Sequence, residues 1–313
     1  MSESRPFEID SQLRRHGVIP CSEGAPAFSV RRVRGSPIPI VIASPHAGRH
    51  YPETLILHMR QPAEAALRLE DRYADLLAQK VATLTGTALI VAHAPRAMID
   101  LNRAPEDIDW DMIAAPSPAR SGRQSAGRRS RSGLGIVPRR LPGLGELWSR
   151  KITLADLTER IDAVHRPYHL ALAQLLESLR DKWGGALLID IHSMPPLGPK
   201  TGHGAAADFV VGDRFGATCS SRIALAALDE LELSGARAAH NRPYAGGYVL
   251  DRHGNPARGI HALQLEVCRA TYLDNDLHEP GIGFDGVVDT IAALVRRMAD
   301  ELAANSSFAQ AAQ

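Results

Sequence analysis

Short apolar runs alternate with longer segments of helical periodicity along most of this chain. In "ALLIDIHSMP" (186–195), the four residues Ala186–Ile189 have the character of a buried strand, whereas apolar positions recur at helical spacing over 63–84. Further predicted strands lie within 37–48, 88–92, 207–216 and 259–272, and further predicted helices at 154–181, 219–233 and 284–304. This alternation predicts an α/β fold in which a mixed, mostly parallel sheet lies between helices.

The length of the chain is compatible with one large domain. Its 313 residues, of which 44% are hydrophobic, can fill a core of that size. Residues 1–36 have a mixed composition interrupted by Pro and Gly, so we expect a surface arm there. We expect a single α/β domain over 37–304 and a frayed tail over 305–313.

Composition and charge argue against several classes of protein. The net charge of +1 and the pI near 7.9 indicate no affinity for nucleic acid or membranes. Three scattered cysteines are too few for a disulfide framework, and the N-terminus lacks the apolar core of a signal peptide. These features favour a cytoplasmic protein. The segment 116–133 is rich in Ser, Gly and Arg; we favour a solvated loop over an anion site there.

Polar residues follow several of the predicted strands at the point where each ends. They are His46, the pair Asn102 and Arg103, and His192; Glu266 lies within a late strand. The ends of strands in open α/β sheets are where ligands gather, so these side chains can converge on one cleft. Two imidazoles and one carboxylate are a common catalytic zinc set. Bound zinc lowers the pKa of its water to about 7.

The signatures of other catalytic classes are missing from the sequence. It contains no Gly-x-Ser-x-Gly elbow, no phosphate-binding Walker loop and no His-Glu-x-x-His helix. A dinucleotide-binding Gly-x-Gly-x-x-Gly turn after a strand is also missing. The strand-end residues are therefore the strongest candidates for a functional site.

Six blocks in order along the chain resemble the N-formylglutamate amidohydrolase family. They are "SPHAGRHYP" (44–52), "LEDRYADLL" (69–77), "APRAMIDLNRAP" (94–105), "LLIDIHSMP" (187–195), "NRPYAGGY" (241–248) and "HALQLEVCR" (261–269). The resemblance runs from about residue 36 to 300. It implies a fold like that of the zinc carboxypeptidases and aspartoacylases, within the phosphorylase/hydrolase-like class, with a single Zn²⁺.

The resemblance also implies a ligand set for the metal. His46 would be the first ligand and His192 a later one, with Asp190 and Ser193 supporting it. Asp71 matches an acidic ligand that the family carries on a helix, and Glu70 is its rival. The carboxypeptidases place a Glu three residues after the first His, but this chain has Arg49 there. Alternatively, Asp71 is an ordinary residue on the solvated surface of a helix, on the same side as Asp75.

The remaining site residues follow from the same resemblance. Glu266 matches the catalytic glutamate, and Asn102 with Arg103 matches a pair that grips a substrate carboxylate. Either Arg96 or Arg103 would help zinc to stabilise the oxyanion. Tyr244 would shape the pocket floor or only a tight turn. Arg103 has a structural alternative too, pairing with Asp100 or Glu106. For Arg96 and Asp100 we favour support of the loop over contact with substrate.

We therefore expect a zinc-dependent amidohydrolase that acts on a non-peptide linear amide. Its substrate would be a small N-acyl acidic amino acid, first N-formyl-L-glutamate, which would give L-glutamate and formate. One alternative is a carboxypeptidase-like enzyme or another N-acyl-amino-acid amidase. A non-enzymatic alternative is a metal-free binding protein of the same fold.

Overall fold

The computed structural model describes residues 13–32, 37–114, 132–199, 202 and 204–311, with side chains up to 304. The strands are β1 (Leu13–His16), β2 (Phe28–Arg31), β3 (Ile40–Ser44), β4 (Ala88–Ala92), β5 (Arg140–Leu141), β6 (Gly145–Glu146), β7 (Ala186–Met194), β8 (Phe209–Gly212), β9 (Ala238–His240) and β10 (Ile260–Cys268). The helices are α1 (Glu53–Ile56), α2 (Pro62–Leu69), α3 (Ala74–Thr85), α4 (Leu154–Arg160), α5 (Arg166–Trp183), α6 (Ser221–Leu233), α7 (Tyr248–His253), α8 (Arg269–Tyr272) and α9 (Phe284–Ala311). A π turn at Ile161–His165 joins α4 to α5, and 3₁₀ turns lie at Trp110–Met112 and Pro256–Arg258. Most of the Arg-rich segment 116–133 lies outside the described residues.

An eight-stranded sheet forms the centre of the molecule, in the order β1-β2-β4-β3-β7-β10-β8-β9. The four central strands β4, β3, β7 and β10 run parallel to one another. Antiparallel pairs join β2 to β4 and β8 to β10 on either side. The predicted mixed, mostly parallel sheet is confirmed.

Helices cover both faces of the sheet, so the central strands are apolar on both sides. One face packs against α5, whose buried residues include Tyr168, Leu172 and Leu176. The other packs against α3, α6 and α9. No helix among the described residues is long and apolar enough to cross a membrane.

The N-terminal segment differs from the surface arm that we expected over 1–36. Its described part supplies β1 and β2, and β2 pairs with β4 and buries Phe28 and Val30 in the core. Without β2, the outer edge of β4 would carry a row of backbone N–H and C=O groups with no hydrogen-bond partner in the sheet. Strand β2 provides these partners. At the other end, the backbone of α9 continues to Ala311, into the segment expected to fray.

The single helix predicted over 63–84 is wrong in its middle. Helix α2 ends at Leu69, Glu70 is extended with φ −74° and ψ 139°, and Tyr73 adopts the left-handed φ of +58° before α3 begins. Helical periodicity continues across this break, so it did not show in the sequence pattern. The break turns Asp71 inward, where its N–H donates to the carbonyl of His46 at 3.0 Å.

Candidate metal centre

Parallel strands bring the predicted site residues to one edge of the sheet. His46 lies two residues beyond β3, and His192 lies near the end of the adjacent β7. Glu266 on β10 stands in register opposite His192. Asn102 and Arg103 were expected after a strand, but they lie on a turn that follows β4 at the same edge. The sheet topology therefore gathers groups that are up to 220 residues apart in the chain.

The side chains of His46, Asp71 and His192 form a compact buried cluster. One potential ligand atom from each lies within 4.8 Å of the others, and no other group of three His, Cys, Asp or Glu does so in the described part of the chain. Nδ1 of His192 lies 2.9 Å from Oδ2 of Asp71, and Nδ1 of His46 lies 3.6 Å from the same oxygen. The rival residue Glu70 instead accepts a hydrogen bond from Arg72 at 3.2 Å.

Each imidazole of the cluster is hydrogen-bonded to its own carboxylate on the side away from the centre of the cluster. Nε2 of His46 pairs with Oδ1 of Asp100 at 2.7 Å, and Nε2 of His192 pairs with Oδ2 of Asp190 at 2.9 Å. These pairings place a proton on Nε2 of each ring, so Nδ1 is the atom that faces the centre of the cluster. Nδ1 of His46 is buried and has no hydrogen-bond partner among the described residues. Such an unsatisfied atom beside an imidazole and a carboxylate fits a metal ligand.

The charges of the cluster reinforce one another. Burial would raise the pKa of Asp71, but the adjacent imidazoles of His192 and His46 hold it well below its usual range. Burial would lower the pKa of His192, but Asp190 and Asp71 raise it well above the usual value. This concentration of buried carboxylate around two imidazoles suits a divalent cation.

Two residues that sequence analysis did not place in this role support Asp71. Ser193 was expected beside His192, but its hydroxyl donates to Oδ1 of Asp71 at 3.2 Å. Arg269 donates from Nε to that hydroxyl at 3.0 Å, and its Nη2 lies 3.8 Å from Oδ1 of Asp71. Arg269 was visible in the block "HALQLEVCR" but carried no distinguishing signal. Together they fix the orientation of the acidic group.

Glu266 accepts the last of a series of hydrogen bonds between side-chain amides. Gln264 donates from Nε2 to Oε1 of Glu266 at 2.8 Å, and Asn102 donates from Nδ2 to Oε1 of Gln264 at 3.4 Å. Oδ1 of Asn102 accepts from the N–H of Val249 at 2.9 Å, and a Cβ at Gly247 would lie only 2.6 Å from that oxygen. Burial raises the pKa of Glu266 to about 7, against the opposing charge of His192. A carboxylate with a pKa near neutrality is suited to proton transfer.

The two predicted arginines differ in their hydrogen bonds, although both lie near Asp100: Nε of Arg103 is 4.0 Å from Oδ2 of Asp100. Arg96 donates from Nε to Oδ2 of Asp100 at 3.0 Å, and its side chain is 24% exposed. Burial would lower the pKa of Arg96, but Asp100 and Asp71 raise it. Arg103 donates from Nε to the carbonyl of Leu134 and from Nη1 to that of Asn102.

Tyr244 lies close to the same groups. It packs against Met194, Val210 and Cys268, and burial together with the charge of Glu266 raises its pKa. The structure therefore brings Tyr244 near Glu266.

Comparison with known proteins supports one family. Residues 38–273 match the model of the N-formylglutamate amidohydrolase family. The chain is 27% identical to an N-formylglutamate deformylase from Pseudomonas aeruginosa, over 85% of this chain and 93% of that protein. It is 27% identical to another from Pseudomonas putida, over 76% of this chain and 82% of that protein.

Two solved structures share the fold. One is a crystal structure of an N-formylglutamate amidohydrolase from Ralstonia eutropha, with a TM-score of 0.78 and 29% identity over 88% of this chain and 98% of that one. The other is a gene product of Agrobacterium tumefaciens, with a TM-score of 0.63 and 17% identity over 89% of this chain and 95% of that one. The second likeness concerns the fold alone.

Proposed function

The chain belongs to the N-formylglutamate amidohydrolase family, and on that premise we propose that it hydrolyses N-formyl-L-glutamate to L-glutamate and formate. The observation that carries the proposal is the buried cluster of His46, Asp71 and His192 beside Glu266. Proteins named for this activity align over most of the chain, so the substrate is a small N-acyl acidic amino acid.

Zinc is the metal that we assign to the cluster, because two imidazoles and one carboxylate are a typical zinc ligand set. His46 and His192 would bind it through Nδ1, and Asp71 through a carboxylate oxygen. Zinc bound there would supply Lewis acidity, polarising the formyl carbonyl and lowering the pKa of water. Asp100, Asp190 and Ser193 would hold the ligands in place.

Glu266 is the proton carrier in this proposal. Gln264 occupies Oε1 of Glu266, so we assign Oε2 to proton transfer. The carboxylate takes a proton from the attacking water and delivers it to the amide nitrogen of glutamate as the C–N bond breaks. The water oxygen and the formyl carbon leave together as formate.

Substrate binding is assigned to Arg96, Arg103, Asn102 and Tyr244. Arg96 presents a partly exposed guanidinium beside Asp100, suited to a substrate carboxylate or to the oxyanion. Arg103 and Asn102 form the turn behind it, and Tyr244 lies beside Glu266. A cytoplasmic location stays a prediction from the sequence.

The test is a formate-release assay on purified protein, with its metal content measured. N-formyl-L-glutamate is compared with N-formyl-L-glutamine, N-acetyl-L-glutamate and a peptide with a free C-terminus. We expect fastest turnover of N-formyl-L-glutamate, loss of activity with chelator and recovery with Zn²⁺. Preferred cleavage of the peptide would support the carboxypeptidase alternative, and zinc-free protein that binds but does not cleave would support a binding protein.

A further inference from the structure

A second group of buried histidines lies beneath the turn that carries Asn102 and Arg103. His165 ends the π turn, His169 follows it on α5, and His253 ends α7. The rings of His165 and His169 are 4.4 Å apart, and those of His169 and His253 stack at 5.3 Å. We call these three residues the histidine clamp. A π turn inside a helix is often found at a functional site.

The hydrogen bonds of the clamp fix its protonation. Nε2 of His165 lies 2.9 Å from the carbonyl of Arg103, and Nε2 of His169 lies 3.0 Å from the carbonyl of Leu101. A carbonyl only accepts, so both Nε2 atoms carry the proton. Nδ1 of neutral His169 is then an acceptor, and Nε2 of His253 donates to it at 3.0 Å. All three imidazoles are therefore Nε2–H tautomers.

Burial agrees with this neutral state. It lowers the pKa of His165, lowers that of His169 well below its usual value, and lowers that of His253 to about 3. The clamp thus stays uncharged at neutral pH. It donates hydrogen bonds to backbone carbonyls and has no carboxylate partner among the described contacts.

The two clamped carbonyls flank Asn102, in a segment that contacts both halves of the site. Asp100 holds Nε2 of His46, and the N–H of Asn102 donates to the same oxygen of Asp100 at 2.8 Å. The side chain of Asn102 reaches Gln264, which holds Glu266. A shift of segment 100–103 would therefore disturb His46 and Glu266 together.

We propose that His165 and His169 are positioning residues that hold segment 100–103, so that Asp100 orients His46 and Asn102 supports Gln264 beside Glu266. The inference rests on the proposed function, since it takes His46 as a metal ligand and Glu266 as the proton carrier. His253 orders His169 by donating to its Nδ1.

Matched substitutions separate positioning from simple packing. In His169→Gln the amide nitrogen occupies nearly the place of Nε2 and still donates to Leu101. In His169→Asn the amide reaches only the place of Nδ1, so that donor is lost while polarity is kept. His165→Gln and His165→Asn form the same pair for the carbonyl of Arg103. His261→Leu, on the opposite face of β10, is the control for removal of a half-buried histidine.

We expect His169→Asn to lower kcat/KM per zinc-loaded enzyme by about 10- to 100-fold and to weaken zinc binding, measured by competition with a chelator. His169→Gln should restore both, and His261→Leu should change neither. Hydrogen exchange at the amides of Asn102 and Arg103 should accelerate by about 10-fold or more in the Asn variants. Nitrogen-15 spectra of the wild type should show three Nε2–H imidazoles.

Other outcomes would overturn the proposal. A purely structural clamp would lower the melting temperature equally in the Gln and Asn variants, with unchanged exchange at 102–103 and unchanged kcat/KM per zinc. An Nδ1–H tautomer or an imidazolium at His169 near pH 7 would contradict the bonding pattern. If the wild type fails to cleave N-formyl-L-glutamate, the proposed function fails. The hydrogen-exchange, tautomer and zinc-affinity measurements still test whether the clamp positions segment 100–103.

Discussion

Two groups of buried histidines lie close together in this protein and have opposite surroundings. The first, His46 and His192, is enclosed by the carboxylates of Asp71, Asp100 and Asp190. The second is the histidine clamp, whose partners are backbone carbonyls and another imidazole. Both groups are almost completely shielded from solvent.

The difference shows that burial alone does not decide what an imidazole does. Carboxylates raise the pKa of His192 despite its burial, whereas burial dominates in the clamp and lowers the pKa values there. In the first group the Nδ1 atoms of both rings face the carboxylate of Asp71, which favours a cation. In the clamp the Nδ1 lone pair of His169 already accepts from His253, so His169 does not offer it to a metal.

Substituting one histidine in each group should give the largest difference in zinc content and activity. His192→Ala deletes a proposed ligand, so we expect zinc content to fall from one per chain toward zero. Activity should drop by well over about 100-fold, since even supporting residues cost 10- to 100-fold. His253→Gln should retain one zinc per chain. Metal analysis and formate release measure both effects.

A full zinc content in His192→Ala would remove that residue from the ligand set. Loss of zinc in His253→Gln, with an unchanged melting temperature, would contradict the separation of the two groups. Asp71→Asn and Glu70→Gln, measured side by side, test the acidic ligand, and we expect only the first to lose zinc.

Glu266 lies beside the first group, but its proposed role is to move a proton. Glu266→Gln keeps the shape of the side chain and its contact with Gln264, so zinc should remain bound. We expect kcat to fall by about 10²- to 10⁴-fold, because proton transfer is lost. Glu301→Gln, which removes a buried carboxylate on α9 beside Arg222, is the matched control. A rate near that of the wild type would mean that another group carries the proton.

The sequence predicted the sheet from local apolar runs, and it predicted the candidate site from polar residues at strand ends together with the family resemblance. Apolar runs predicted β3, β4, β7 and β10, and the polar residues at their ends were visible as exceptions. The break at Glu70 and Asp71 was missed, because helical periodicity continues through it. The pairing of β2 with β4 was missed as well, since four residues with mixed neighbours give too weak a pattern.

The clamp was beyond prediction for a different reason. His169 and His253 are 84 residues apart and meet only in the packed structure. A histidine in a helical pattern is usually a packing or surface residue, and nothing local separates His169 from such cases. The bonding of Arg103 to backbone carbonyls is equally invisible, because every part of the chain offers carbonyl oxygens.

The buried carboxylate of Glu266 should also affect stability in the metal-free protein. Its pKa is raised from 4.5 to about 7, so the folded state binds a proton that the unfolded state releases. The resulting stability is full below pH 4.5 and is lost as the pH rises through about 7. The loss amounts to about 3 kcal/mol. Glu266→Gln should not show this loss of stability. Urea unfolding of both chelator-treated proteins at pH 5 and pH 8 measures the difference.

Equal pH dependence in the wild type and in Glu266→Gln would contradict a raised pKa at this residue. Glu301→Gln serves again as the control, because it removes another buried carboxylate, one that pairs with Arg222 and Arg297. Subtracting the pH dependence of Glu266→Gln from that of the wild type cancels the contributions of titrating groups that do not interact with Glu266.

The two arginines differ, like the two histidine groups, in how far their hydrogen-bond partners are carboxylates or backbone carbonyls. Arg96 donates to the carboxylate of Asp100 and is partly exposed, whereas Arg103 is buried, lies 4.0 Å from that carboxylate and donates to backbone carbonyls. Lysine keeps the charge but cannot reproduce the planar fork of donors. We therefore expect Arg96→Lys to raise KM for N-formyl-L-glutamate by about 10-fold with a smaller change in kcat.

Arg103→Lys should act differently if its main partners are carbonyls. It should lower the melting temperature, because a lysine cannot reach both Leu134 and Asn102, and any rise in KM should be similar for carboxylate and amidated substrates. Arg96→Lys should instead lose its effect on a substrate whose α-carboxylate is amidated. If only Arg103→Lys discriminates between the two substrates, the carboxylate grip belongs to Arg103, and Arg96 serves the oxyanion or Asp100.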